Sequence, residues 1–215
     1  MARRSLMARC YPRMADRMMR AGQAEHRREL LGGLAGRVVE VGPAHGVNFA
    51  FYPETVTEVV AVEPDAGLRE LAAAAARLAP VKVEVVEGEA DALPGEDGSF
   101  DAAVASLVLC SVPDQGHALA ELRRVLRPGG ELRFYEHVHA GGGLASVVQR
   151  ALDATIWPHV AGGCHLGRDT RAAVEAAGFE IEECEERHLR MPRAMHALFP
   201  HVLGRAHVPA PGGVG

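Results

Sequence analysis

Residues 102–109, AAVASLVL, form an almost unbroken apolar run directly after Phe100-Asp101. A strand with one wet face alternates polar and apolar residues, whereas a strand covered on both faces need not. The run is therefore predicted as a central strand of a parallel sheet, which requires helices on both sides. VKVEVVE (81–87) is the contrast, with Lys82 and Glu84 facing away from Val81, Val83 and Val85. That alternation places it at a sheet edge, where charged residues discourage further pairing.

The rest of the chain alternates strand and helix signals. A helix is predicted over 13–31, closed by Gly32-Gly33, followed by strands Arg37–Val41 and Glu58–Val62. Pro64-Asp65 suits the start of a helix from 66 to 78. A helix over 114–126 ends in Arg-Pro-Gly-Gly and leads to a strand Glu131–Val138. Gly141-Gly142-Gly143 opens a helix to about 155, and a turn-rich stretch, 157–167, precedes a helix over 169–177. Phe179–Arg187 and Pro200–His207 read as two closing strands with no helix between them. The pattern is an α/β, doubly wound sheet with an antiparallel hairpin at one edge. One domain over 1–207 and a flexible Pro/Gly-rich tail over 208–215 are expected.

Composition narrows the function classes. The 215 residues are 48% hydrophobic and 24% charged, as in an ordinary folded domain. No stretch approaches the roughly 18 apolar residues of a membrane span, and a cytoplasmic location is expected. Cys10, Cys110, Cys164 and Cys184 form no CxxC pair, so neither a zinc ribbon nor a disulfide framework is indicated. Within the net charge of -5, residues 1–30 carry eight arginines against Asp16, Glu25 and Glu29. The body that follows is acidic, which argues against a broad nucleic-acid surface.

VVEVGPAHG (38–46) carries the strongest chemical signal. Gly42 and Gly46 lie in the turn after the first strand, where backbone N–H groups can cradle a polar ligand. The spacing Glu-x-Gly-x-x-x-Gly is neither the dinucleotide fingerprint nor a Walker loop. Glu63 follows the second strand, placed to accept both hydroxyls of a ribose. Glu89 and Ala90 follow the third strand, where a carboxylate and a backbone amide can read adenine. A glycine turn, a ribose acid and an adenine reader after successive strands form a nucleoside-binding constellation.

VVEVGPAHG, VVAVEP, GEADALP, GSFDAAVASLVL and RRVLRPGG together resemble the class I S-adenosylmethionine-dependent methyltransferases. NFAFYP (48–53), LVLCSVPD (107–114), FYEHV (134–138) and GGCHLGRDT (162–170) resemble, within that family, the methyltransferase-like protein 7 group of alkyl-thiol methyltransferases. The resemblance implies a Rossmann-like, seven-stranded sheet, mostly parallel with a reversed last strand. It implies S-adenosylmethionine as cofactor, with Glu40, Gly42, Ala44, Gly46 and Asn48 around the methionine end. Glu63 would hold the ribose, Glu89 and Ala90 would face adenine, and the segment Ser106 to Leu109, with Ser106 and Leu107 as cofactor contacts, would lie beneath the sulfonium. This chain departs from the pattern at Ala44-His45, which replace a Gly/Thr pair, and at Glu89, which replaces aspartate. Its arginine-rich start stands where animal members carry an apolar anchor, so no membrane span is expected.

Methyl transfer needs an aligned, deprotonated acceptor, and a thiol is only a few per cent ionised at neutral pH. His137 and His165 are the candidate bases, with Glu136 orienting His137 and Tyr11 on a lid formed by residues 1–31. Residues 139–168 would form the acceptor side. His137, His139, His159, Cys164 and His165 offer no ligand set at recognisable spacing, so no metal is expected, and Cys110 reads as a buried small hydrophobe. The leading function is methyl transfer to a small molecule, a thiol by resemblance. Methylation of oxygen, nitrogen or carbon, a non-catalytic cofactor binder and a nicotinamide oxidoreductase are the alternatives.

Overall fold

The computed structural model describes residues 13–210. Seven strands form one sheet: β1 (Gly36–Val41), β2 (Val56–Val62), β3 (Val83–Val86), β4 (Phe100–Ser106), β5 (Leu126–His137), β6 (Glu180–Arg187) and β7 (His201–His207). Their order is β3-β2-β1-β4-β5-β7-β6. β7 runs antiparallel to both of its neighbours, while the pairs β2/β3, β1/β2, β1/β4 and β4/β5 are parallel. The helices are α1 (Ala24–Leu31), α2 (Ala66–Ala76), α3 (Gln115–Val125), α4 (Gly143–Asp153), α5 (Trp157–Val160), α6 (Thr170–Ala176) and α7 (Arg193–Leu198).

The apolar run does occupy a central strand buried on both faces. Ala102, Ala103, Val104 and Ala105 are at most 2% exposed. On one face Ala103 and Ala105 pack with Leu119, Leu122 and Val125 of α3 and Val174 of α6. On the other, Ala102 and Val104 pack with Leu30 and Leu31 of α1, Ala72 of α2, Phe49 and Tyr52. β3 is the edge strand that its alternation predicts. Asp65, Asp114 and Asp169 each accept a hydrogen bond from a first-turn N–H and so start α2, α3 and α6. The progression of strand order reverses between the parallel neighbours β1 and β4, and this switch point opens a crevice beyond the strands' carboxyl ends.

Three expectations change. β4 stops at Ser106, because Leu107 adopts a left-handed φ of 58° and turns the chain away from the sheet. The helix over 13–31 is interrupted by a wide turn at Met19–Gln23, where Gly22 has a φ of 122°. The closing strands form the expected antiparallel pair at the sheet edge, with β7 beside β5, but they are joined through the short helix α7. Six residues are too few for helical periodicity to show in the sequence.

β7 fits beside β5 because of one glycine. Gly204 pairs with Phe134, and a Cβ at Gly204 would lie 2.2 Å from the Phe134 ring. Phe134 is fully buried, so the ring cannot swing away. Gly204→Ala is expected to destabilise the fold by about 1–3 kcal/mol through overpacking. Urea unfolding should show this as a lower midpoint with an unchanged slope.

Candidate functional site

The turn after β1 is built for close approach. Gly42, Ala44 and Gly46 have φ of 59°, 53° and 82°. A Cβ on Gly42 would lie 2.5 Å from Val108 Cγ2, and one on Gly46 would lie 2.6 Å from the Phe49 ring. Both positions therefore require glycine for space as well as for conformation. Ala44 holds its left-handed conformation while its N–H donates to Glu63 Oε2 at 3.0 Å. The Asp65 N–H donates to the other oxygen, Oε1, at 3.0 Å. Glu63 thus joins the glycine turn to the tip of β2. Burial raises its pKa, and the two backbone hydrogen bonds oppose that rise.

Beneath the turn lies a buried polar cluster. Glu40 is 1% exposed and accepts from Asn48 Nδ2 at 2.7 Å and from the Tyr52 hydroxyl at 2.8 Å. Burial pushes its pKa up to about 7 despite these donors and the nearby Arg27. Arg27 of α1 donates to Asn48 Oδ1 at 2.6 Å and to Ser106 Oγ at 3.0 Å. Sequence reasoning treated the N-terminal arginines as a group and missed this one. The signal was available: Leu30 and Leu31 must face the core, which places Arg27, one helical turn earlier, on the same side.

The remaining expected residues divide. Ser106 and Leu107 lie at the end of β4, with the Leu107 N–H donating to the Tyr135 carbonyl at 2.7 Å. Ala90 is half-buried, and Glu89 is exposed, its backbone bridging to Ala92. Tyr11 lies outside the described residues.

At the β4/β5 rim one assignment is corrected. Glu136 does not orient His137. Its Oε1 accepts from the Val108 and Leu109 N–H groups at 3.0 and 2.9 Å, and its Oε2 accepts from the Cys110 N–H at 3.0 Å. Strand alternation explains this, since Glu136 and His137 point to opposite faces of β5. Burial pushes the Glu136 pKa up to about 7. Arg168 grips the same turn from its carbonyl side, donating to Leu109 O at 2.6 Å and Val112 O at 2.7 Å.

His137 turns its Nδ1 towards two sulfurs, Cys164 Sγ at 3.6 Å and Cys110 Sγ at 3.9 Å, and the sulfurs are 3.6 Å apart. Cys110 is therefore more than a small hydrophobe. The Cys164 thiol pKa is lowered by its contact with Cys110 and then by His137, and that of the deeper Cys110 is raised by the same contact and by burial. His165 is half-buried, and its N–H donates to Cys110 O at 2.7 Å. The His137 ring packs on His201 at 4.2 Å, His201 stacks on Tyr135, and the Tyr135 hydroxyl meets His26 Nδ1 at 3.1 Å. A row of rings thus runs from α1 to the two cysteines. A separate cleft of about 510 Å³ is lined by Val138, His139, Ala145, Cys184, His196 and Val202, and by none of the cofactor-side residues.

With this geometry in place, comparison with known proteins is decisive. A family model described as a methyltransferase domain matches residues 39–134. Thiol S-methyltransferase TMT1B of Homo sapiens is 37% identical over 185 residues, which is 82% of this chain and 73% of that protein. TMT1A of Homo sapiens is 35% identical over 173 residues, 79% of this chain and 69% of that protein. A putative methyltransferase from Bacillus halodurans shares the fold with a TM-score of 0.72 at 16% identity, covering 86% of this chain and 98% of the other. The chain belongs to the class I S-adenosylmethionine-dependent methyltransferases. Within that class it falls in the methyltransferase-like protein 7 group, and it transfers methyl groups from S-adenosylmethionine to a small molecule.

The residues present fit that cofactor. The turn at Gly42 leaves no room for a side chain, and Glu63 offers two carboxylate oxygens at the tip of β2. Arg27 and Asn48 bring buried donors to the end of β1. A cofactor held there would supply a methyl group activated on a sulfonium.

Glu40 and Glu136 bind a proton more tightly folded than unfolded, because burial raises each pKa from 4.5 to about 7. The contribution of each of these carboxyls to stability should therefore fall as pH rises through that window, by up to about 3 kcal/mol per group. Asp101 and Glu121, whose values are lowered, act below this window, whereas the buried His26, His45 and His201, lowered by burial, act within it with the opposite sign. Glu40→Gln keeps both hydrogen bonds, because the Tyr52 hydroxyl can turn to accept from the new amide. Thermal melts should accordingly show this variant gaining stability relative to the wild type as pH rises from 5 to 7.

Proposed function

We propose that the acceptor is a small alkyl thiol and that the product is the S-methyl thioether. The observation that carries this reading is the 37% identity to a thiol S-methyltransferase over 82% of the chain. Transfer is in line: the acceptor sulfur's lone pair forms the new C–S bond, and the electron pair of the old one stays with the departing thioether. Alignment of the two reactants supplies much of the acceleration, and a deprotonated sulfur supplies more. His137, at the end of β5, and His165, in the loop bound to Cys110 O, are the groups assigned to ease that deprotonation. The helical N-terminal segment, through Arg27, is assigned as a cover over the methionine end of the cofactor. No helix among the described residues is long and apolar enough to cross a membrane, and we infer a cytoplasmic enzyme without nucleic-acid partners.

A radiolabelled methyl-transfer screen across alkyl thiols, amines, phenols and quinols tests the acceptor class. Label should appear in thiols, and label in phenols alone would overturn the reading. Glu63→Ala is expected to weaken S-adenosylmethionine binding by about 1.5–3 kcal/mol, the size of a charge-assisted hydrogen bond. Calorimetry reads this directly, and an unchanged affinity would remove Glu63 from the site.

A further inference from the structure

We propose that Cys110, His137 and Cys164 form a three-ligand site for a zinc-class metal ion, whose fourth position takes the acceptor thiol as a thiolate. The second part rests on the thiol reading above. Three donor atoms from three separate segments converge here, all within 4.8 Å of one another. Tetrahedral zinc, with bonds of about 2.3 Å to sulfur and about 2.0–2.1 Å to nitrogen, separates two sulfurs by about 3.8 Å and a sulfur from a nitrogen by about 3.6 Å. The observed separations are 3.6 Å between the sulfurs and 3.6 and 3.9 Å from sulfur to nitrogen. They outline one face of that tetrahedron. Two sulfurs and an imidazole select a soft ion over magnesium or calcium.

The donors are also held in place, as metal ligands generally are. Glu136 and Arg168 fix the Cys110 backbone. The Cys164 N–H donates to Ala161 O at 3.2 Å, and the next N–H, that of His165, donates to Cys110 O. The His201 ring lies against His137. Three protein ligands leave one position open, as in catalytic zinc sites. Cys110 and His137 stand at the carboxyl ends of adjacent strands, on the ligand side of the sheet. When the acceptor binds, its S–H bond breaks, a sulfur–metal bond forms and the proton passes to solvent, so that His137 eases the deprotonation as a metal ligand and not as a base. The coordinated sulfur keeps a lone pair for the methyl carbon. The neutral thioether product is a weak ligand and leaves.

The test is cobalt(II) added to reduced, chelator-treated protein, followed by thiolate-to-metal charge-transfer and visible absorption. One cobalt per chain with a four-coordinate spectrum, displaced by zinc, is expected. Cys164→Ser and His137→Ala should lose that spectrum while circular dichroism and S-adenosylmethionine affinity stay as in the wild type. The absence of a cobalt spectrum in the folded wild type, or its survival in both variants, would overturn the site. Adding an alkyl thiol to the cobalt form should change the charge-transfer band. An unchanged band at thiol concentrations that saturate methyl transfer would overturn the fourth-position assignment. If only phenols are methylated, the thiol reading fails while the cobalt spectrum stands, so the two failures are distinguishable.

Discussion

The arrangement of the β4/β5 rim depends on how the turn after β4 is held. Leaving the sheet through a left-handed Leu107 strips residues 108–110 of strand partners, and their buried N–H groups need acceptors. Glu136 provides them from inside the protein, taking all three on one carboxylate, and Arg168 takes two carbonyls from the opposite side. An acid and a base thus fix one short segment without touching each other. Through it, the end of β4 is tied to β5 and to the loop before α6. Gln149, itself buried, continues the bracing by holding Val138 O, the Ala140 N–H and Leu198 O.

This bracing explains what could and could not be read from the sequence. The alternation of elements, the two-sided burial of β4 and the edge position of β3 follow from local periodicity, and all three are found in the structure. The glycine turn and Glu63 were legible because each sits at a fixed place relative to a strand end. Glu136 was legible as a residue but not as a role, since the amides it serves lie 26 to 28 positions away. The approach of Cys164 to Cys110 spans 54 positions and depends on the path of an irregular loop. No spacing rule records that. Arg27 lies between these cases, because its face was predictable and its partners were not.

Charge acquires a different meaning at the level of single side chains. The arginine-rich start and the acidic body look like two blocks in the sequence. In the structure Arg27 is driven into the acidic body, beside Asn48 and Ser106, close enough to moderate the proton affinity of Glu40. Its neighbour Arg28 lies over the Phe51 ring, its guanidinium 5.3 Å from the ring centre. Adjacent arginines thus serve different surfaces of one helix, and the block has no single function.

Glu63 has a further consequence. Its two oxygens already hold the amides of Ala44 and Asp65, yet each carboxylate oxygen has two lone pairs. The second lone pair on each oxygen is left over once both amides are held, so holding the turn does not exhaust the carboxylate. The carboxylate that shapes the glycine turn therefore keeps acceptor capacity to spare at the tip of β2.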